Sequence, residues 1–415
     1  MSLNQTPIAN RLHIGIFGRR NVGKSSFINA LTNQYIAIVS DVPGTTTDPV
    51  YKTIEILPEP GPCVIIDTAG LDDEGNLGAL RREKSHQILN KTDLAIVLID
   101  PMIGIEEFEK DLIQTIDEKK IPLLIVSNKI DVTPKDIQVT EFINPFPLFK
   151  VSSKTGTGID ELRSNLSKYA PSKIEDMSVV KGIVKRGDTV VLVIPIDSAM
   201  PKGRLILPEV QVLRAVLDED AHAVVCKEYE LEHALNQLKN GPELVVTDSQ
   251  VYHIVKDIVP EQIRLTSFSM LFARYKGDFG EYVEGANAID ALVPGDKVLI
   301  AEACTHHPQP QDIGRYKIPK LLDAKAGGAL HYTTYSGADF PEDLSAYKLI
   351  IMCGSCMINT KNVMFRIELA RSAGIPVTNY GVFFAKMNGI LDRTSWLLDY
   401  PMSRITKHNP TVLSH

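Results

Sequence analysis

The sequence predicts an α/β protein of three domains. Three observations carry that expectation. Short apolar runs alternate with amphipathic stretches along most of the chain. A glycine-rich segment, Gly18–Ser25, directly follows the first such run, and two cysteine groups near the C-terminus each follow an apolar run of their own. At 415 residues the chain is too long for one ordinary core, and about 100–200 residues per domain gives two to four.

Composition narrows the class. Hydrophobic residues make up 44% and charged residues 23%, the balance of an ordered globular protein. A net charge of −7 argues against a dedicated nucleic-acid binder, which neutralises phosphates with a basic surface. The stretch before the first strand is short and polar, and no run of about 18 apolar residues occurs. A cytoplasmic location is therefore expected, with neither membrane nor nucleic acid as partner. Five cysteines, Cys63, Cys226, Cys304, Cys353 and Cys356, make no disulfide framework in a chain this long. In a reducing compartment, clustered cysteines point to metal or redox chemistry.

The first domain is expected over residues 1–170, with strands at His13–Phe17, Cys63–Asp67, Leu94–Asp100, Leu123–Asn128 and Leu148–Ser152. Gly18-Arg19-Arg20-Asn21-Val22-Gly23-Lys24-Ser25 matches G-x-x-x-x-G-K-[ST] and stands between a strand and a helical stretch. Its glycines let backbone N–H groups curl around a phosphate, and the helix N-terminus adds positive potential. Asn21, Val22, Gly23, Lys24, Ser25 and Ser26 form the cradle. Lys24 reaches the β- and γ-phosphates, and the Ser25 hydroxyl ligates Mg²⁺.

Asp67-Thr68-Ala69-Gly70 ends an apolar strand, where Asp67 can hold Mg²⁺ through water and the Gly70 N–H can sense the γ-phosphate. Asn128-Lys129-Ile130-Asp131 ends another. The Asp131 carboxylate can accept both N1–H and N2–H₂ of guanine, which adenine does not offer, so it selects GTP and GDP. Ser152-Ser153-Lys154 completes the base pocket, with Ser153 and Lys154 as contacts.

Together these segments resemble the TrmE–Era group of GTPases, with a Ras-like P-loop domain, over about the first 170 residues. The resemblance implies that Gly44-Thr45-Thr46-Thr47-Asp48 is switch I, with Thr46 binding Mg²⁺ and the γ-phosphate. It implies Lys24, Thr46 and Gly70 as the catalytic set, and Asn21 as a K⁺ ligand beside the phosphates. Leu71 stands where Ras carries its water-positioning Gln, so slow, K⁺-stimulated hydrolysis is expected.

The second domain, residues 178–262, repeats strand then helix. Thr189–Ile196, Ala221–Cys226 and Leu244–Thr247 read as strands, Pro208 opens a helix carrying Val210, Leu213 and Val216, and Asp248 caps another. No catalytic constellation occurs in it.

The third domain, residues 263–415, holds Cys304-Thr305-His306 and, after 46 intervening residues, Cys353-Gly354-Ser355-Cys356. Both groups follow expected strands, Val298–Ala303 and Leu349–Met352, and ligands gather at the carboxyl ends of parallel strands. Spacing alone leaves three readings open: a 4Fe–4S cluster with an exchangeable fourth ligand, a Cys₃His zinc site, and a redox dithiol.

The G domain, a middle domain and C-x-H-x46-C-x2-C together resemble the FeFe-hydrogenase maturation GTPase family (HydF), over the whole chain. That resemblance implies a scaffold or carrier that binds a 4Fe–4S cluster through Cys304, Cys353 and Cys356, with His306 a further candidate ligand and His307 or Glu302 as competitors. It implies a di-iron precursor as cargo, radical-SAM maturases and apo FeFe-hydrogenase as partners, and a middle domain that forms a homodimer or higher oligomer. The alternative is a zinc-containing TrmE–Era-type GTPase acting in ribosome or tRNA maturation.

Overall fold

The computed structural model of the protein describes residues 7–32, 50–56, 61–68, 87–132, 137, 140, 142–171, 178–196, 205–303, 312–337, 339–341 and 343–402. The chain divides into two compact units, Met1–Glu175 and Asp176–Arg404.

In the first unit, β1 (Leu12–Phe17), β2 (Val50–Ile56), β3 (Gly61–Asp67), β4 (Leu94–Ile99), β5 (Leu123–Ser127) and β6 (Leu148–Lys150) form one sheet. Its order is β2-β3-β1-β4-β5-β6. β2 runs antiparallel to β3 and the other pairings are parallel. Every residue of β1, β4 and β5 is buried, because helices cover both faces. That is why these strands read as continuous apolar runs rather than alternating ones. Ile14, Ile16, Leu94 and Ile96 pack on one face with Phe27, Leu162 and Leu166. Phe17, Val97 and Ile125 pack on the other with Ile113 and Ile116. The parallel strands deliver their carboxyl ends to one edge, where β1 lies between chain segments that turn to opposite sides.

The second unit contains two four-stranded parallel sheets. The first comprises β7 (Thr189–Val193), β8 (His222–Cys226), β9 (Leu244–Thr247) and β10 (Arg264–Ser267), in the order β10-β9-β7-β8. β10 lies beyond residue 262, where the sequence reading ends the second domain, and it pairs in parallel with Leu244–Thr247. Four residues reading Arg-Leu-Thr-Ser carry no apolar run, so the strand is defined by its partner rather than by its own pattern. Asp248 does cap, accepting from Gln250 N at 2.8 Å. The helix Leu207–Asp218 turns Val212, Ala215 and Val216 fully inward, and Val210 and Leu213 are half-buried.

The second sheet of this unit comprises β11 (Lys297–Ala301), β12 (His331–Tyr335), β13 (Leu349–Met352) and β14 (Val377–Asn379), in the order β12-β11-β13-β14. Ala301 is in register with both Tyr335 and Met352. The chain leaves β11 to one side for β12 and returns to its other side as β13, so the switch point lies between the carboxyl ends of β11 and β13. The helix Phe268–Lys276 runs from the end of β10 toward this edge. Ser267 caps it by accepting from Met270 N.

Candidate functional site

The nucleotide-type site is built on the carboxyl edge of the first sheet. Gly18 has φ +143°, and a Cβ there would meet Leu98 O at 2.6 Å. Gly23 has φ +95°, and its Cβ would meet Asn128 Nδ2 at 2.7 Å. Both positions need glycine for conformation and for room. Lys24 starts the helix Lys24–Thr32 and is buried. Its Nζ donates to Gly18 O at 2.8 Å and Arg19 O at 2.7 Å, which ties the two ends of the loop together. Ser25 Oγ donates to Asp67 Oδ2 at 3.4 Å. A hydroxyl and a carboxylate meeting there are the oxygen donors a hard divalent cation takes.

Asn128 joins this loop to the loop after β6. Its Nδ2 donates to Val22 O at 2.9 Å, and its Oδ1 accepts from Ser153 N at 3.1 Å and Ser153 Oγ at 2.8 Å. Lys129 Nζ donates to Asn21 O at 2.7 Å and pairs with Asp100 Oδ2 at 2.8 Å. Asp131 is exposed, and its Oδ1 accepts from Ser152 Oγ at 2.6 Å. Ser26, Asn21 and Lys154 are exposed at the rim. The structure therefore brings together Asn21, Val22, Gly23, Lys24, Ser25, Asp67, Asn128, Lys129, Asp131 and Ser153. Thr46, Gly70 and Leu71 lie outside the described residues.

The second site lies at the switch point of β11 and β13. Cys353 immediately follows β13, and its Sγ accepts from Ala303 N at 3.0 Å and Ser355 N at 3.4 Å. Ser355 takes φ +54° to close the turn, an uncommon conformation for a non-glycine residue. Asn379 Nδ2 donates to Cys353 O at 3.0 Å. Lys276 is buried, and its Nζ donates to Ser355 O at 3.1 Å, Cys356 O at 3.3 Å and Ile358 O at 2.9 Å.

Burial pushes the Cys353 thiol up, against the amides of Ser355 and Ala303. Burial and the neighbouring Cys353 push the Cys356 thiol up to about 11, against Lys276. Burial pushes Lys276 down to about 8, against the two thiols. Glu302 Oε2 accepts from Arg315 Nη2 at 3.3 Å and Ser336 Oγ at 3.2 Å. Cys304, His306 and His307 lie outside the described residues. Among the described residues, three or more His, Cys, Asp or Glu side chains nowhere gather as a metal group.

Residues 179–277 match the hydrogen maturase F dimerization domain, and residues 280–396 match the hydrogen maturase F tetramerization domain. The chain belongs to the hydrogen maturase F family. Residues 13–129 match a GTPase domain model described as 50S ribosome-binding GTPase, so the first unit of this hydrogen maturase F chain is a P-loop GTPase domain. The "tRNA modification GTPase MnmE" of Desulforamulus reducens is 37% identical over 155 residues, covering 36% of this chain and 33% of its own. The "GTPase Der" of Wolinella succinogenes is 28% identical over 190 residues, covering 41% and 40%. The chain thus spans about a third of the length of the first curated relatives it matches. A crystal structure of Aquifex aeolicus Era covers 51% of this chain and 91% of its own at 22% identity, with a TM-score of 0.33. That likeness is too slight to argue from.

The family models add a tetramerization description to the segment read from sequence as a cluster domain. The dimerization match ends at Gly277 and the tetramerization match begins at Gly280. No helix among the described residues is long and apolar enough to cross a membrane.

Sequence reasoning missed two buried cations at the cysteine turn, Lys276 and Arg366, and one clamp at the nucleotide loop, Arg19 with Glu109. Arg366 had a readable signal. It falls with Val363, Ile367 and Ala370 on the buried stripe of the helix Thr360–Ser372, where a charged residue is out of place.

Proposed function

We propose that this hydrogen maturase F chain hydrolyses GTP and carries an iron–sulfur centre for FeFe-hydrogenase maturation. One observation carries the carrier reading: a C-x-x-C turn at the switch point of a parallel sheet, with two backbone amides aimed at the Cys353 sulfur. Amide donors and buried cations favour thiolate over thiol, and a soft thiolate set suits iron–sulfur or zinc. The donor set therefore fits the group the family implies. Cys353 and Cys356, with Cys304, would hold a 4Fe–4S cluster, and His306 stands as the candidate for its exchangeable position. When bound, the cluster supplies an iron site to which the di-iron cargo attaches. The chain's residues hold the thiolates, orient them and keep bulk water from the turn.

In the first unit, the Gly18–Ser26 loop would wrap the phosphates, with Lys24 on the β- and γ-oxygens. Ser25 and Asp67 would hold Mg²⁺, completed by Thr46. Asp131 would read guanine, with Lys129, Ser153 and Lys154 lining the base, while Gly70 would meet the γ-phosphate. Asn21 would hold K⁺, whose charge can take an arginine finger's part. The middle and C-terminal domains would assemble the chain with its own copies, and radical-SAM maturases and apo-hydrogenase would be its partners in the cytoplasm. The match of residues 179–396 supports this over the zinc-containing ribosome or tRNA maturation reading.

Anaerobic reconstitution of the full chain with iron and sulfide tests it. About four irons per chain and an EPR signal on reduction are expected. A colourless chain that retains one tight zinc would overturn the carrier reading.

A further inference from the structure

Two buried cations lie near the cysteine turn, and neither has a carboxylate at ion-pair distance among the described residues. Lys276 is 1% exposed and Arg366 is 0% exposed. Lys276 donates only to the carbonyls of Ser355, Cys356 and Ile358, and its ammonium lies 5.8 Å from the Phe272 ring centroid. Arg366 Nη2 donates to Gly337 O at 2.6 Å, and its guanidinium stacks 5.1 Å from the Phe340 ring centroid. Its Nε and Nη1 are buried with no hydrogen-bond partner, as is Asn362 Oδ1 one helical turn earlier. Neither cation makes an ion pair with a carboxylate among the described residues.

Burying an unneutralised cation costs several kcal/mol, and proteins rarely accept it without an anion nearby. Two such cations converging on one turn call for an anion there. Both interact electrostatically with the Cys353 thiol, Lys276 also with Cys356, and Arg366 also with Tyr282 and, more weakly, the exposed Asp339 carboxylate, which makes no ion pair with it. Neutral thiols do not supply the missing charge. A thiolate–metal centre does, since three thiolates on a 4Fe–4S core leave net negative charge that grows on reduction.

We propose that Lys276 and Arg366 are the buried counter-cations of an anionic thiolate–metal centre at Cys353 and Cys356, with Lys276 also positioning the turn. The inference rests on the carrier reading above for the identity of the metal. It adds that the centre is shared between domains, because Lys276 belongs to the segment matching the dimerization domain, and the cysteines to the segment matching the tetramerization domain.

The test uses the full chain with Arg366→Met and Lys276→Met, and Arg366→Lys and Lys276→Arg as conservative variants. In the reconstituted protein each Met variant should lower the cluster's midpoint potential by about 59 mV or more. That is a tenfold change in a one-electron equilibrium, and the conservative variants should restore most of it. In the metal-free protein the sign reverses: Arg366→Met should melt at or above the wild type, because an uncompensated buried charge has gone. Unchanged potentials, or equal destabilisation of the metal-free and loaded forms, overturn the counter-cation assignment and leave the carrier reading standing. If the wild type takes up no iron–sulfur, the carrier reading falls instead. The assignment is then read by Co²⁺ titration of the same variants through the thiolate charge-transfer band. A tenfold loss of Co²⁺ affinity in the Met variants supports it, and wild-type affinity overturns it.

Discussion

Replacing Glu109 by Ala should loosen the nucleotide loop from a distance. Glu109 lies on the helix Glu107–Glu118 and is 2% exposed. Its carboxylate grips Arg19 of the P-loop in two bonds, Nε to Oε1 at 2.6 Å and Nη2 to Oε2 at 3.0 Å. The same Oε2 accepts from Glu106 N at 3.0 Å, half of the helix's capping box. Hydrogen bonds to charged groups contribute about 1.5–3 kcal/mol each. Arg19 keeps 21% of its side chain exposed and can fall back on Glu106 at 3.0 Å, which cuts the net pair to about 2 kcal/mol. Loss of the cap adds about 1 kcal/mol.

Glu109→Ala should therefore cost about 3 kcal/mol and lower the melting of the first unit by about 6–12 °C, at 2–4 °C per kcal/mol for its size. Arg19 O also accepts the Lys24 ammonium, so a released Arg19 should weaken GDP binding by about tenfold, or 1.4 kcal/mol. A double-mutant cycle of Arg19→Ala and Glu109→Ala, followed by calorimetry and fluorescent-GDP titration, isolates the pair. A coupling within about 0.5 kcal/mol of zero refutes the clamp. So does a loss of stability with GDP affinity unchanged.

Asp131→Asn should lower GTP affinity by about 30-fold or more, the worth of a charge-assisted pair, and should improve binding of xanthosine nucleotides; competition titration reads both. Lys24→Ala should abolish nucleotide binding and spare iron uptake, whereas Cys353→Ser should do the reverse. Losing both activities in both variants contradicts two separable sites. Replacing Na⁺ by K⁺ should raise GTP turnover several-fold in the wild type and not in Asn21→Ala, by phosphate release. Burial holds the Tyr252 hydroxyl well above the usual tyrosine range. Because the unfolded chain loses that proton first, near pH 10, stability should fall as pH rises beyond that value. Tyr252→Phe should flatten this alkaline limb in denaturant titrations.

The nucleotide site was legible because its chemistry is local. Gly18–Ser25 spans one turn, and its two glycines are required by backbone geometry and by contact with Leu98 and Asn128. β1, β4 and β5 were legible for a related reason: burial on both faces leaves a continuous apolar run. β10 and β14 were not, since four and three residues respectively carry too little pattern. Both exist because a neighbouring strand offers its hydrogen bonds. The Arg19–Glu109 pair spans 90 residues, and nothing in either local sequence separates it from a surface charge.

The cysteine turn shows the same limit more sharply. Cys353 and Cys356 announce themselves by spacing, but the groups that make them a site come from elsewhere in the chain. Lys276 ends its helix just before Gly277, where a lysine ordinarily caps the last carbonyls in water. Here its three partners are carbonyls about 80 residues further along the chain, so its role comes from the packing of two domains. Arg366 is different, because its place on an apolar stripe already sets a sequence-level contradiction. A guanidinium at such a position calls for an anion; Asp339 is exposed and not at ion-pair distance, and on the counter-cation proposal Cys353 would supply the nearer charge once it held a metal. On that proposal the buried charge that costs the metal-free fold stability would be the same charge that favours loading, so a site built this way would be poised to take up an anionic centre.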